Sequence, residues 1–579
     1  MDTTYNFFDN PNYPLHKQYE ALRAYFYEKL SAREIAKRFG YTENSIYCFA
    51  SAIKQLDTKQ LEERFFAPST IGRPLKEYGN NIDQLIIALR KKYLSVPDIK
   101  TILDTQKQNI SETYIYKLIN KEGFARLPRR SKSAKVESLS QVKLPAPTAA
   151  LLGDSDEIFN TMNVGILCFI PYIVDLGLDK IITNSLFPET KTIPKISAIL
   201  SFIALKLSNV RRYTVDDLWC MDRGSGFFAG LNVLPKTAWF SSYSHRITRR
   251  MNMSFLKELY QLWQKTGLLA DMANLDFVAV PYWGDDSHLE NNWSGTRHKA
   301  LSSILAAIAQ DPDTGIITYG DTTVRHDNES DVVVEFLDFY KESGKQNINY
   351  LVFDSKFTTY ENLSKLDDNK TKFITIRRRG KNIIDELNQL PADLWKKVRV
   401  QSSGNKTREL NVADQTILLK GYNKNIRQIA ITGHGKIKPA LIITNDFKLG
   451  VEQVLRKYAR RWLVEKSISE QTHFFHLNKV SSSMVIKVDF DLTMSIFAYN
   501  LYRVLANDLT RYEHNTSQTL YEKFINNNGS IEIKNGNALV FMKKKRNLPE
   551  LLSAMKRFEK IKVSWLGGRT LTITAASNT

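Results

Sequence analysis

Hydrophobic and polar positions divide the chain into regions with different periods. Residues 18–56 and 82–124 repeat apolar positions every three to four residues, which predicts short helices. Residues 126–150 are basic, then contain Pro and Ala, and have no apolar period, so they predict a linker. Residues 155–270 again predict mostly helices. Further on, strands dominate, first in a series with helices and then, over residues 380–445, as short strands.

The first helical region contains two helices separated by a tight turn. Ser31 and Glu34 fit a capping box at the start of one helix, and Gly40 predicts the turn into the next. The residue order S-x-x-E-I-A-x-x-x-G-Y-T-x-x-S-I-Y resembles the helix-turn-helix units of bacterial DNA-binding proteins, whose second helix enters the major groove. The resemblance implies that the following side chains face DNA: Thr42, Glu43, Asn44, Ser45 and Tyr47.

A second unit of the same kind is predicted further along. Ser111 predicts the cap of its candidate recognition helix. The sequence G-R-P that separates the two units is similar to the arms that lie in the minor groove in paired-type DNA-binding domains, which implies a DNA contact for Arg73. The alternative is a small helical bundle with solvated charges. The side chains that the second recognition helix would present to DNA are Thr113, Tyr114 and Lys117.

Two predicted strands carry an aspartate where a hydrophobic core rejects charge. The stretch N-L-D-F-V-A-V places Asp276 inside one apolar strand, and Y-L-V-F-D places Asp354 at the end of another. Between them the pattern predicts two antiparallel strands and a helix, which is the order of an RNase H-like fold with its two acids on adjacent strands. Adjacent carboxylates both stay ionised when a cation lies between them, so the pair predicts a metal site. For Asp354 alone, the alternative is a cap of the following turn through the backbone of Lys356 or Phe357.

A third acid lies on a helix predicted over residues 447–475. Tyr458, Arg461 and Glu465 are spaced so that they share one face of that helix. Such a face suits a site that holds metal and phosphate together. The alternative is an ordinary charged helix in which Glu465 pairs with Arg461. Glu470 is a rival third acid because it lies on the same helix.

The three acidic blocks together resemble a known family. L-D-F-V-A-V, L-V-F-D-S-K-F and Y-A-R-R-W-L-V-E look like the acidic blocks of bacterial insertion-sequence DDE transposases. The similar subgroup has a mostly β insertion before the Glu and a Y-x2-R-x3-E-x6-K signature, whose final Lys is Thr472 here. The resemblance implies a multidomain fold, with an N-terminal all-α helix-turn-helix region and an α/β RNase H-like catalytic core with a mostly β insertion.

The resemblance also implies an activity. It predicts an enzyme that binds the ends of an insertion sequence and catalyses metal-dependent DNA strand cleavage and strand transfer. Asp276, Asp354 and Glu465 would coordinate two Mg²⁺ ions, for which Mn²⁺ can substitute, and Tyr458 and Arg461 would hold DNA. The implied partners are the double-stranded element ends, target DNA and a second copy of the chain in a synaptic homodimer. The alternatives are a transposase-derived DNA-binding regulator without cleavage activity and a nuclease that does not join strands.

We expect the chain to divide into these parts: helix-turn-helix domain 1–65, second helix-turn-helix-like domain 66–130, linker 131–150, helical pre-core region 151–270, first part of the RNase H-like core 271–378, β-rich insertion 379–446, last part of the core with the catalytic Glu helix 447–512, and C-terminal region 513–579.

Composition and charge favour a nucleic-acid partner. The 81 Lys and Arg residues against 61 Asp and Glu give a net charge of +20, which favours polyanions. The 3 cysteines lack metal-finger spacing, which argues against structural zinc and for a reducing compartment. The apolar stretches are too short to span a bilayer and no signal-peptide pattern opens the chain, so we expect a cytoplasmic protein. The resemblance to insertion-sequence transposases implies that it is bacterial and associated with the nucleoid. A strand end predicted to line a phosphate groove carries Arg377, Arg378 and Arg379.

Overall fold

The chain forms two compact units, Met1–Gly79 and Asn80–Thr579, which confirms a multidomain protein. The computed structural model of the chain describes the following residues: 8, 11, 13–66, 80–91, 94–105, 108–124, 127, 152, 156–211, 217–270, 272–282, 289–294, 298–344, 348–401, 407–435, 439–479, 485–559 and 561–577.

The described part of the first unit is helical. Ser31 accepts a hydrogen bond from the Glu34 backbone N–H, and the Glu34 carboxylate accepts one from the Ser31 N–H at 2.9 Å, so the predicted capping box forms. Gly40 ends that helix with φ +66°, a left-handed conformation that favours glycine. Ile35, Phe39 and Ile46 lie in the small core between the helices. The helices are α1 (Pro14–Phe26), α2 (Ala32–Phe39), α3 (Glu43–Ile53) and α4 (Thr58–Phe66).

The second unit begins with three helices that pack together. Ser111 caps the third of them by accepting a hydrogen bond from the Tyr114 N–H. The first of them also packs against a helix further along the chain, where the Ser242 hydroxyl donates to the side-chain oxygen of Gln84 at 3.2 Å. These three helices therefore belong to the larger unit. They are α5 (Asn80–Lys91), α6 (Val96–Thr105) and α7 (Glu112–Lys121).

The predicted helical pre-core region encloses a long helix from the other end of the chain. That helix, Val485–Asp508, is buried from Val488 to Ala506. Lys206 forms a buried ion pair with its Asp491 at 2.8 Å. The enclosing region opens with strand β1 (Glu157–Thr161), followed by helices α8 (Ile170–Asp175), α9 (Leu178–Asn184), α10 (Lys195–Leu207), α11 (Asp217–Cys220), α12 (Arg223–Phe228), α13 (Thr237–Ser244) and α14 (Arg249–Lys265).

A ten-stranded mixed sheet forms the centre of the second unit. Its strands are β2 (Met272–Pro281), β3 (Asn291–Ser294), β4 (Lys299–Gln310), β5 (Ile317–Val324), β6 (Tyr350–Phe353), β7 (Lys372–Ile376), β8 (Trp395–Gln401), β9 (Thr407–Leu419), β10 (Tyr422–Thr432) and β11 (Ala440–Thr444). Their order is β3-β4-β2-β6-β7-β11-β10-β9-β8, and β5 pairs with β4. The strands predicted as an insertion, β8 to β11, therefore extend the same sheet beyond β7.

Helices follow or cross this sheet. They are α15 (Val332–Ser343), α16 (Tyr360–Asp368), α17 (Lys381–Asn388), α18 (Val451–Ala459), α19 (Trp462–His473) and α20 (Val485–Asp508). The continuous helix predicted over residues 447–475 is wrong, because the chain breaks between α18 and α19 at Arg460 and Arg461.

The C-terminal region completes a second sheet with the order β1-β12-β13-β15-β14. Its first strand comes from the pre-core region, so the two regions form one sheet. No helix in the described ranges is long and apolar enough to cross a membrane. The remaining elements are α21 (Ser517–Leu520), β12 (Gly529–Lys534), β13 (Asn537–Met542), α22 (Leu548–Met555), β14 (Lys562–Val563) and β15 (Arg569–Ala575).

Candidate active site

Strand register brings the two predicted aspartates side by side. β2 and β6 run parallel, with Asn274 beside Val352. Asp276 and Asp354 each come two residues later, so both carboxylates lie at the same position along neighbouring strands. Asp354 also caps the following turn by accepting a hydrogen bond from the Ser355 N–H at 2.5 Å. The carboxylate of Asp354 thus lies beside Asp276 and also caps the following turn, through Ser355 and not through the predicted Lys356 or Phe357.

Arg461 connects the strand acid to the helix acid. Its guanidinium forms an ion pair with Asp276 and, through its other terminal nitrogen, with Glu465 at 2.6 Å. Burial raises the pKa of Asp276 to about 6, Arg461 partly offsets this, and the charges of Glu465 and Asp354 raise the pKa further. The three predicted acids therefore belong to one electrostatic cluster.

Tyr458 lies beside this cluster with its phenol protonated. Burial, and to a lesser extent the charge of Asp354, raises the pKa of Tyr458 to about 12, while Arg461 opposes the rise. The Arg461 guanidinium lies 5.8 Å from the centre of the Tyr458 ring. At neutral pH the phenol is available as an O–H donor.

The rival acid Glu470 has a different role. Its carboxylate accepts a hydrogen bond from the Ser517 N–H at 2.6 Å, which fixes the start of α21. Glu465 lies five residues earlier with its side chain 53% exposed and bound to Arg461. Thr472, at the position of the signature lysine, donates to the carbonyl of Ser469 within its own helix. These contacts favour Glu465 as the third acid.

The break between α18 and α19 positions Arg461 and Glu465. Asn274, on β2, donates from its side-chain amide to the Arg460 carbonyl at 3.0 Å. Arg460 itself donates to the carbonyl of Pro312 at 2.7 Å. No sequence pattern pointed to Asn274, because a single Asn in an apolar strand matches no catalytic motif.

Comparison with known proteins identifies a domain that contains most of these residues. Residues 284–501 match the family model described as the transposase DDE domain. The chain carries a transposase DDE domain. The matched residues include Asp354, Arg461 and Glu465 and begin after Asp276. The resemblance to DDE transposases inferred from the acidic blocks is therefore confirmed.

A solved structure and the curated proteins complete the comparison. The cryo-EM structure of a piggyBac transposase synaptic complex with hairpin DNA is similar at 11% identity, over 64% of this chain and 82% of that chain, with a TM-score of 0.32. No curated protein matches the chain.

The side-chain chemistry of Asp276, Asp354 and Glu465 fits a hard divalent metal. Carboxylate oxygens are the ligands that Mg²⁺ and Mn²⁺ prefer. Among the residues described, no group of three or more His, Cys, Asp or Glu side chains is arranged to hold a metal ion. Arg461 provides a positive charge next to Asp276 and Glu465. Burial lowers the pKa of Arg461, but the negative charges of these carboxylates outweigh it and hold that pKa above its usual range.

The predicted arginine run, residues 377–379, lies near the acidic cluster, and its side chains have two different roles. Arg377 donates to the side-chain oxygen of Gln428 at 2.5 Å, and Arg379 donates to the carbonyl of Pro439. Both side chains are half-buried and hold neighbouring segments of the sheet, so the expectation that they line a phosphate groove is not met by their present contacts. Arg378 is exposed and donates to the carbonyl of Ser355 at 3.3 Å, directly beside Asp354.

The predicted DNA-facing residues of the first unit lie at the start of α3. Thr42 caps the helix by accepting from the Ser45 N–H at 3.2 Å, and the two hydroxyls are 2.7 Å apart. Asn44 and Tyr47 are exposed. The side chains of Thr42 and Ser45 are therefore engaged with each other, whereas Asn44 and Tyr47 extend into solvent.

The residues predicted on the second recognition helix separate by exposure. Thr113 and Lys117 are exposed on α7. Tyr114 is buried and donates its hydroxyl to Asp83 at 2.7 Å, so the expectation that it faces DNA is wrong. The helix presents Tyr116 instead, two residues further on. Arg73 lies outside the described residues.

Proposed function

We propose that this protein is a DNA transposase of the bacterial insertion-sequence type, which binds the ends of its element and catalyses strand cleavage and strand transfer. The observation that carries the proposal is the cluster in which Arg461 links Asp276 to Glu465, with Asp354 on the neighbouring strand. Acids on two adjacent strands and one helix, in this chain order, support an RNase H-like catalytic core within the DDE domain.

Asp276, Asp354 and Glu465 would hold two Mg²⁺ ions, or Mn²⁺ in their place. Bound there, the metal would activate the attacking oxygen and stabilise the leaving oxygen of a phosphodiester. Asp276 and Glu465 pair with Arg461, so a metal held by them would lie next to its guanidinium. That guanidinium is suited to bind a DNA phosphate through two hydrogen bonds at once.

Two further side chains suit the DNA backbone near the cut. The protonated phenol of Tyr458 would donate a hydrogen bond to a phosphate oxygen. The exposed guanidinium of Arg378 lies beside Asp354, where it would bind a neighbouring phosphate. The net charge of +20 supports a polyanionic substrate.

Recognition of the element ends would fall to the N-terminal helices. The capped helix α2, the left-handed Gly40 and the following helix α3 have the order and spacing of a helix-turn-helix, with Asn44 and Tyr47 exposed for the major groove. Thr113 and Lys117 on α7 would form a second contact. Because two ends must be joined in one reaction, we propose a homodimer on DNA, at the bacterial nucleoid.

A cleavage assay tests this function. Native protein is incubated with duplex DNA carrying the element's own termini and Mg²⁺ or Mn²⁺, beside Asp354→Asn and a control, Asp368→Asn, whose exposed carboxylate pairs with Lys424. We expect metal-dependent nicking at the termini by the native protein and the control, and DNA binding without nicking by Asp354→Asn. DNA binding without cleavage by any of the three, with both metals, would refute the transposase and favour a DNA-binding regulator.

A further inference from the structure

The helix that carries the third acid begins at a sharp break, and the break determines where its side chains point. Around it the backbone closes tight turns: the Arg461 N–H donates to the Tyr458 carbonyl, and the Leu463 N–H donates to the Arg460 carbonyl, each at 3.0 Å. Arg461 leaves this turn toward Asp276, and Glu465 lies one helical turn later. A small rotation at the break would therefore move both side chains together.

Asn274 holds this break from the strand below. It is fully buried on β2, and as the second residue before Asp276 its side chain points to the same face of the sheet. Its amide nitrogen donates to the Arg460 carbonyl at 3.0 Å. Its amide oxygen is buried with no hydrogen-bond partner in the part of the chain that the structure describes.

A buried amide with one unpartnered end is costly, because an unsatisfied polar group in a protein interior loses its hydration without compensation. An aliphatic side chain of similar shape would avoid that cost, but it would leave the Arg460 carbonyl with only the Leu463 N–H of its own turn and would remove its tie to β2. The hydrogen bond from the Asn274 amide nitrogen to the Arg460 carbonyl therefore explains why an amide occupies this buried position.

We propose that Asn274 is a positioning residue for the acidic cluster: by holding the Arg460 carbonyl it fixes the helix break, and so sets Arg461 and Glu465 against Asp276 and Asp354. The effect of Asn274 on catalysis rests on the proposed function. Its effect on the geometry of the helix break does not. Asn274 acts only through the residues that it positions.

The protein is expected to fold without this hydrogen bond. The side chain of Arg460 provides a second anchor, since it donates to the carbonyl of Pro312 and pairs with Asp313 at 2.6 Å. Asn274→Leu removes the donor and keeps the number and branching of the side-chain heavy atoms. Asn500→Leu is the control, because Asn500 is also fully buried and joins a helix to a strand away from the break: it donates to the Ile317 carbonyl at 2.8 Å and accepts from the Ile317 N–H at 2.9 Å, between α20 and β5.

Two measurements separate positioning from general loss of stability. The first is the affinity for Mn²⁺ in the absence of DNA, measured by electron paramagnetic resonance. The Mn²⁺ concentration that half-saturates nicking is determined alongside it. Loss of a residue that orients metal ligands typically weakens metal binding about 10- to 100-fold. We expect a weakening of that size in Asn274→Leu, and native Mn²⁺ affinity in Asn500→Leu at a comparable loss of thermal stability.

The second measurement is amide hydrogen exchange, which needs no activity. We expect faster exchange across residues 458–465 in Asn274→Leu and native exchange there in Asn500→Leu. If the native protein neither binds Mn²⁺ nor nicks DNA, the proposed function fails and the exchange result alone decides whether Asn274 fixes the break. The positioning role would be overturned if Asn274→Leu and Asn500→Leu showed equal exchange across residues 458–465. It would also be overturned if the native protein bound Mn²⁺ and the two variants bound it with equal affinity.

Discussion

Asp489 provides a sharp test of the polar contacts that join the pre-core helices to the sheet. Its side chain is buried on α20 and accepts hydrogen bonds from the Asn252 amide at 2.6 Å and the Thr322 hydroxyl at 3.1 Å. Burial raises the pKa of Asp489 to about 6, and the charge of Asp321 raises it further, while Arg249 partly offsets the rise.

The direction of the pH dependence follows from that raised pKa. The folded protein binds the Asp489 proton more tightly than the unfolded chain does, so the contribution to stability is fully present below about pH 4 and is lost as the pH rises through about 6. The rise from 3.8 to about 6 corresponds, at about 1.4 kcal/mol per pH unit, to about 3 kcal/mol. Asp489→Asn should remove the loss of folding stability that occurs as the pH rises through the pKa of Asp489.

The substituted amide can keep both hydrogen bonds, since its oxygen accepts from Asn252 and its nitrogen donates to the Thr322 hydroxyl. We therefore expect Asp489→Asn to gain stability over the native protein from pH 5 to pH 8, approaching about 3 kcal/mol at pH 8. Urea unfolding followed by circular dichroism at each pH measures the difference, with Asp368→Asn as the exposed control. A variant that is equally destabilised at every pH would refute the reasoning.

The remaining predictions concern ion pairs and a helix cap. Arg461→Ala should lower the free energy of unfolding by about 3 kcal/mol, because it leaves partly buried carboxylates uncompensated, and should reduce nicking at least about 100-fold; urea unfolding and the nicking assay measure these effects. Lys206→Met should destabilise by about 3 to 5 kcal/mol in urea, whereas Arg399→Met, which breaks an exposed pair, should cost less than about 1 kcal/mol. Ser31→Ala should lower the stability of the first unit by about 1 kcal/mol, which thermal unfolding of that unit measures.

Local patterns predicted the strands that carry the acids. The alternation of apolar residues and the turn after Gln310 were sufficient to predict β4, β5 and α15 between Asp276 and Asp354. The capping box at Ser31 was equally local, because every group that it needs lies within four residues. Where neighbours in sequence decide the structure, the sequence was informative.

Contacts between distant segments were not predictable in the same way. The break at Arg460 is fixed by Asn274, which lies 186 residues earlier, and the residues around the break have a continuous helical pattern. Tyr114 is polar at its tip and apolar along its ring, so its burial depended on finding Asp83 on α5. Arg377 and Arg379 looked like a basic strand end, yet their partners come from β10 and from the residue before β11.

A strand-joining assay tests the central claim most directly. Pre-cut element ends with free 3′-hydroxyls are incubated with target DNA and Mn²⁺, comparing the native protein with Glu465→Gln and Glu470→Gln. We predict joined products from the native protein and from Glu470→Gln, and none from Glu465→Gln although it still binds the ends. Joined products from Glu465→Gln at the native rate would contradict the assignment of the third acid, and their absence from the native protein would contradict strand transfer itself.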